Sequence, residues 1–228
     1  MTRAAQVCLF DMDGVVRHWD PRHAVEAEAA CGLPVGTLRT VAFSVPEYEA
    51  SLRGEITYAE WCSATKRELA AQYPRSTAVP AVDRWQADKG VVDPEVVALI
   101  RLTRRLVPVG LLSNAHDALS SDLRYLGLDG LFDVVICSAE VGLVKPDLAV
   151  YRESARRFDV SPADCFFTDD TMDNVLAARQ AGIDAELFTD AASLATRLES
   201  RLSLLRVAEY GNARVRSVGR AEGEAGED

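Results

Sequence analysis

The chain has 228 residues, 48% hydrophobic and 26% charged, with a formal net charge of −10. That balance fits a folded globular protein, long enough for one domain plus an insert, rather than a disordered chain. It excludes a general nucleic-acid binder, which needs a basic face, but not an anionic substrate, which needs only a locally positive site. The five cysteines, Cys8, Cys31, Cys62, Cys137 and Cys165, are odd in number and form no C-x-x-C pair. They read as reduced thiols of a cytoplasmic protein, not as metal ligands. No long apolar run precedes Asp11 and none elsewhere could cross a bilayer, so neither a signal peptide nor a membrane partner is expected.

Residues 7–11 read as a buried strand running into Asp11-Met12-Asp13-Gly14. Asp20-Pro21 places a helix cap before a proline at the first helical position, and Gly32 ends that helix. Residues 21–88 hold several helical segments and no convincing strand. Thr57 and Glu60 have capping-box spacing, and Tyr58, Trp61, Cys62, Thr65 and Leu69 fall on one helical face. Asp93-Pro94 starts another helix. Beyond it strands over 107–113, 132–137, 165–168 and 184–188 alternate with helices to about 126, after Asp147, up to Gly182, and over 191–207. Strand–helix alternation of this kind predicts an α/β fold, a three-layer Rossmann-like parallel sheet, with an inserted α-helical cap. The expected division is a core of 1–16 and 91–207, a cap of 17–90, and a disordered acidic tail of 208–228.

Chemistry concentrates at the strand ends, where ligands of open parallel sheets bind. Asp11 and Asp13 share one side of their strand if the pleat continues. Two carboxylates that close repel unless a divalent cation or a shared proton intervenes, and Mg²⁺ favours such oxygens together with substrate phosphates. The pair therefore suits phosphoryl transfer, one acid as nucleophile and the other as proton shuttle. Three further segments follow: Leu111-Leu112-Ser113-Asn114, Val144-Lys145-Pro146-Asp147, and Thr168-Asp169-Asp170-Thr171 with Asn174 beyond. Each has a plain structural reading by itself. Asp169 and Asp170 could be first-turn helix acids, Ser113 a cap, and Lys145-Pro146 a surface turn.

Taken together and in this order, the four segments resemble the motifs of the haloacid dehalogenase superfamily. The resemblance covers residues 6–200. It implies a Mg²⁺-dependent phosphomonoesterase acting on a small phosphorylated metabolite through an aspartyl phosphate. It also implies the roles. Asp11 is the nucleophile and Asp13 the general acid and base. Ser113, with the backbone N–H groups of Asn114 and Ala115, receives the phosphate. Lys145 offsets charge between phosphate and nucleophile. Asp169 and Asp170, with Asp11 and the Asp13 backbone carbonyl, hold the cation, and Asn174 braces the acidic loop. Asp13 separates the chain from dehalogenases, since halide leaves without a proton. His23 leaves room for a phosphosugar mutase, and a non-catalytic binding protein is the alternative of another class. Arg17, His18 and Trp19 face either substrate or a hinge. His116 lies either on the rim of the phosphate turn or on the surface. A small-molecule phosphate ester is the expected partner, and oligomeric state is left open.

Overall fold

The structure, a computed structural model, describes residues 4–202. In chain order it runs β1 (Val7–Phe10), β2 (Arg17–His18), α1 (Pro21–Ala30), α2 (Thr37–Ser44), α3 (Glu47–Leu52), α4 (Tyr58–Gln72), α5 (Arg75–Gln86) and β3 (Val91–Val92). There follow α6 (Pro94–Thr103), β4 (Val109–Ser113), α7 (Leu119–Tyr125), β5 (Val134–Cys137), α8 (Ser138–Val141) and α9 (Leu148–Arg157). The chain closes with β6 (Cys165–Asp169), α10 (Met172–Gln180), β7 (Asp184–Leu187) and α11 (Ala191–Leu202). A parallel sheet of order β5-β4-β1-β6-β7 forms the centre.

The sheet is covered on both faces, and its central strands β1, β4 and β6, apolar except at their C-terminal ends, are buried at every position. Successive side chains of β1 point to opposite sides. Cys8 and Phe10 join Ile100 of α6, Leu119 and Leu123 of α7, and Leu194 and Leu198 of α11. Val7 and Leu9 join Val150 and Tyr151 of α9 and Val175 of α10. The strand ends are tighter than the sequence suggests, with 107–113 shortened to β4 and 132–137 to β5. The last predicted helix is described only to Leu202, and the predicted tail of 208–228 lies outside the described residues.

Between β2 and β3 the helices α1–α5 pack on one another. Leu38 and Leu69 are fully buried there among Ala78, Ala81 and Val82. Burial of each such leucine contributes about 1.5–3 kcal/mol. The predicted capping box forms: the Glu60 N–H donates to Thr57 Oγ1 at 3.2 Å, and the Thr57 N–H donates to Glu60 Oε2 at 2.7 Å. A second cap escaped notice. The Glu28 carboxylate, fully buried, accepts from the Gly36 and Leu38 N–H groups at 2.9 and 2.8 Å and so caps α2 from α1. The expectation of no strand within 21–88 holds for the described residues. However, β2 and β3 flank that span as an antiparallel pair. Two residues each are too few to show any alternation in sequence. The short α8 was missed for the same reason. Where α3 ends, Gly54 (φ 71°) lies so close to α8 that a Cβ there would meet the Ala139 carbonyl oxygen at 1.9 Å.

Candidate active site

Three strand ends and one loop converge at the C-terminal edge of the sheet. Asp11 follows β1, Ser113 ends β4, Asp169 ends β6, and Lys145 comes from the loop before α9. The parallel register aligns Phe10 with both Leu111 and Thr168, which brings the residues after them together. Lys145 is buried, and its Nζ donates to Asp11 Oδ1 and Asp169 Oδ2, each at 2.6 Å. Asp169, also buried, accepts from the Asn174 side-chain amide at 3.0 Å and from the Thr171 N–H at 2.8 Å. Asn174 therefore does brace the acidic loop. Asn114 and Lys145 form a reciprocal pair. Asn114 Nδ2 donates to the Lys145 carbonyl at 2.8 Å, and the Lys145 N–H donates to Asn114 Oδ1 at 2.7 Å. The lysine is thus fixed at both backbone and head group.

Oxygens of Asp11, Asp169 and Asp170 lie within 4.8 Å of one another. Burial pushes the Asp11 carboxyl up to about 7; Lys145 pulls it down and Asp169 pushes it up again. Asp170 is raised by burial and then by Asp169. Burial opposes the charge on Lys145, but Asp11 and Asp169 prevail and hold its pKa above the usual lysine value. Hard oxygens and negative charge in excess of the ammonium are what a small divalent cation requires, so the donor set fits Mg²⁺. Gly14 makes room for the Asp170 carboxylate. Its φ is 86°, a left-handed value, and a Cβ there would lie 1.9 Å from Asp170 Oδ2.

Asp13 stands slightly apart, and it is gripped by the entry to the helical insert. Arg17 Nε donates to Asp13 Oδ1 at 2.6 Å and Nη2 to Oδ2 at 3.2 Å, while Trp19 Nε1 donates to Oδ1 at 3.0 Å. Arg17 Nη1 also reaches Asp122 of α7 at 3.2 Å, and Lys89 Nζ meets the same carboxylate at 3.0 Å. Of the two readings open for Arg17 and Trp19, the grip on Asp13 is a third. It brings two residues of the insert's entry segment to a strand-end acid. Spacings of four and six residues outside a helix carry no signal for this, because the contact forms only when the chain turns back at Gly14.

One expectation fails. The Ala115 N–H, assigned to the phosphate turn, already donates to Ser138 Oγ at 3.0 Å. Ser138 opens α8, the helix that the sequence did not reveal. Ser113 is buried at its expected place. His23 is half-exposed, 3.9 Å from Asp88, and does not line the cavity beside the acids. His116 does line it, stacked on Trp61 with centroids 4.6 Å apart. Burial drives its pKa down to about 4.

That cavity, of about 320 Å³, opens beside Asp13 and Asn114 and is walled by Phe43, Tyr48, Tyr58, Trp61 and Trp85. Of these rings the sequence pointed only to Tyr58 and Trp61. The others arrive from α2, α3 and α5, too far apart in the chain for any local period to join them.

A cluster of two buried carboxylates, Asp11 and Asp169, and exposed Asp170 at the carboxyl edge of a parallel sheet, facing a helical insert, defines an α/β protein with a candidate cation-binding centre. A sequence profile of haloacid dehalogenase-like hydrolases matches residues 5–182, and the chain belongs to that family. A phosphatase of Mycobacterium tuberculosis is 31% identical over 190 residues, spanning 78% of this chain and 85% of its own. A sesquiterpene phosphatase of Aspergillus oryzae is 28% identical over 212 residues, spanning 88% and 97%. Among solved structures, a family enzyme of Bacteroides thetaiotaomicron, in complex with magnesium and inorganic phosphate, shares the fold. Its TM-score is 0.66 at 19% identity, covering 83% of this chain and 98% of that one. The protein is a hydrolase with phosphatases among its relatives. No helix among the described residues is long and apolar enough to cross a membrane.

Proposed function

We propose that the chain is a Mg²⁺-dependent phosphomonoesterase that hydrolyses a small phosphorylated metabolite through a phosphoryl group carried on Asp11. The observation that carries this is Lys145 Nζ held at 2.6 Å from both Asp11 and Asp169, with Asp13 two residues beyond the nucleophile. A carboxylate attacks a phosphate dianion only if the mutual repulsion is removed. Lys145 does part of this. Asp11, Asp169 and Asp170, with the Asp13 backbone carbonyl, would hold Mg²⁺, which when bound supplies Lewis-acid stabilisation of the phosphoryl oxygens.

In the first step an Asp11 carboxylate oxygen bonds to phosphorus as the bond to the ester oxygen breaks, and Asp13 gives that oxygen its proton. In the second, Asp13 takes a proton from water, whose oxygen bonds to phosphorus and releases Asp11. Dividing the hydrolysis this way replaces one hard displacement with two easier ones. Ser113 and the Asn114 N–H receive the phosphate, with the Ala115 N–H left to Ser138. Arg17 and Trp19 orient Asp13, and Asn114 orients Lys145. Residues 17–90 act as the cap over a core of 1–16 and 91–207, keeping bulk water from the phosphoryl group. The five cysteines are free thiols, which supports a reducing, cytoplasmic location.

The relatives support phosphate esters as substrates, and the Bacteroides enzyme supports Mg²⁺ as the cation. The mutase reading needs His23 on the cap side of the substrate. Its place outside the cavity, near Asp88, favours water as the acceptor. The test is phosphate release from a panel of small esters with Mg²⁺ and with excess chelator. Release only with Mg²⁺ is expected. Full activity in chelator removes the metal from the reading, and conversion of a hexose 1-phosphate to its isomer, lost in His23→Ala, replaces phosphatase by mutase.

A further inference from the structure

The cavity beside Asp13 has two unlike walls. On the insert side the rings pack edge to face: Phe43 against Trp85 at 6.0 Å and 90°, and Trp61 against Trp85 at 6.0 Å and 74°. His116 completes that wall from the core. The second set of lining groups is charged, drawn mostly from the insert, and most of it is already engaged. Arg17 serves Asp13 and Asp122, and Lys89 serves Asp122. Asp20 is held by Arg22, Asp88 accepts from the Gly90 N–H, and Arg39 sits over the Phe43 ring.

A polyhydroxylated ligand needs a polar partner at each hydroxyl, and one left unpaired is costly. Apart from the Arg39 guanidinium, which has no ion-pair or hydrogen-bond partner among the described residues, this lining offers it little. Two buried polar atoms of the cavity lining have no hydrogen-bond partner among the described residues: Gln86 Nε2 and His116 Nδ1. Gln86 Nε2 can only donate, so it calls for an acceptor. The volume, about 320 Å³, lies at the small end of small-molecule pockets.

We infer that this cavity receives the alcohol half of the phosphate ester, and that this half is a bulky, mainly apolar body with a hydrogen-bond acceptor, not a sugar. The inference rests on the phosphatase reading above. The apolar body lies against Phe43, Trp61 and Trp85. Its acceptor takes the Gln86 amide proton, and its phosphate extends past Asp13 to Asp11.

The test measures kcat/KM with Mg²⁺ for four phosphates: methoxynaphthylmethyl, naphthylmethyl, glucose and acetyl. Acetyl phosphate asks nothing of the cavity and reports phosphoryl transfer alone. The methoxynaphthylmethyl ester should exceed glucose phosphate by about tenfold or more. Phe43→Ala and Trp85→Ala should each lower the ratio of naphthylmethyl to acetyl phosphate by about tenfold. Phe43 is 40% exposed, so its truncation spares the fold. Gln86→Leu should erase the advantage of the methoxy group. Preference for glucose phosphate, or a ratio unmoved in both ring variants, overturns the inference while acetyl phosphate turnover leaves the phosphatase standing. No turnover of acetyl phosphate overturns the phosphatase reading and this inference with it.

Discussion

The carboxylate centre and the ring-lined cavity meet at Asp13 and Asn114, yet they are built on opposite terms. The centre is made of charges at strand ends, and its buried groups are paired: Asp169 accepts from three partners and Lys145 is held at both ends. The cavity is made of rings from separate helices, and two of its buried polar atoms wait for a partner. A region whose buried charges are already paired holds its shape before the substrate arrives. A region with unpaired buried polar atoms is left for a ligand to complete. On the function proposed above, the difference separates what would drive the reaction from what would select the molecule that undergoes it.

Changes among the strand-end acids should therefore act on rate, and changes in the cavity on choice or stability. The largest effect is expected from Asp11→Asn. Turnover should fall by about 10⁴-fold or more, and intact-protein mass measurement should show no phosphoryl adduct. An adduct on another residue breaks the assignment. Asp13→Asn comes next, with a loss of about 10²–10⁴-fold, smaller for esters whose leaving oxygen needs no proton. An equal loss for all esters would deny Asp13 its role as acid.

Gly14→Ala tests the space rather than the charge. Its Cβ would collide with Asp170, so Asp170 must move. The Mg²⁺ concentration for half-maximal activity should rise by about 10–100-fold. No shift would mean that Asp170 is idle toward the cation.

The smallest effect belongs to the cavity and is read without turnover. His116 sits near 4 instead of 6.5 because it is buried. As pH falls from about 6.5 to 4, the unfolded chain takes up a proton there and the folded protein does not. Stability is then lost across that window and no further below it. His116→Gln should remove about 2–3 kcal/mol of this acid sensitivity, as the difference between the two denaturant-derived stability profiles. Comparing the pair cancels other groups, Asp11 among them. Parallel profiles would place His116 in contact with solvent.

The same contrast explains what could be read from the chain alone. Asp11, Asp13, Ser113 and Asp169 were legible because each sits at or just beyond the end of a short apolar run, and a parallel sheet gathers such ends, whereas Lys145 comes from a loop and was legible only by its place in the order of motifs. The sheet itself was legible because its central strands are short, mostly apolar runs that alternate with helices. The cavity was not, since Phe43, Tyr48 and Trp85 belong to three helices and meet only through tertiary packing. The grip of Arg17 on Asp13 stayed hidden because the turn at Gly14 makes it. The Ala115 amide was misassigned because its partner, Ser138, stands on α8, a helix of one turn with no periodic signal.

Arg17 and Lys89 stand at opposite ends of the segment that carries the helical insert, and both reach Asp122. This matters to anyone exchanging inserts between relatives. A chimera joined at the boundary drawn from sequence, between residues 16 and 17, places a stranger opposite Asp13. Foreign inserts joined between Trp19 and Lys89 keep the acid's own partners. Such grafts should inherit a new substrate while leaving Asp13, and the proton transfer proposed for it, as they were.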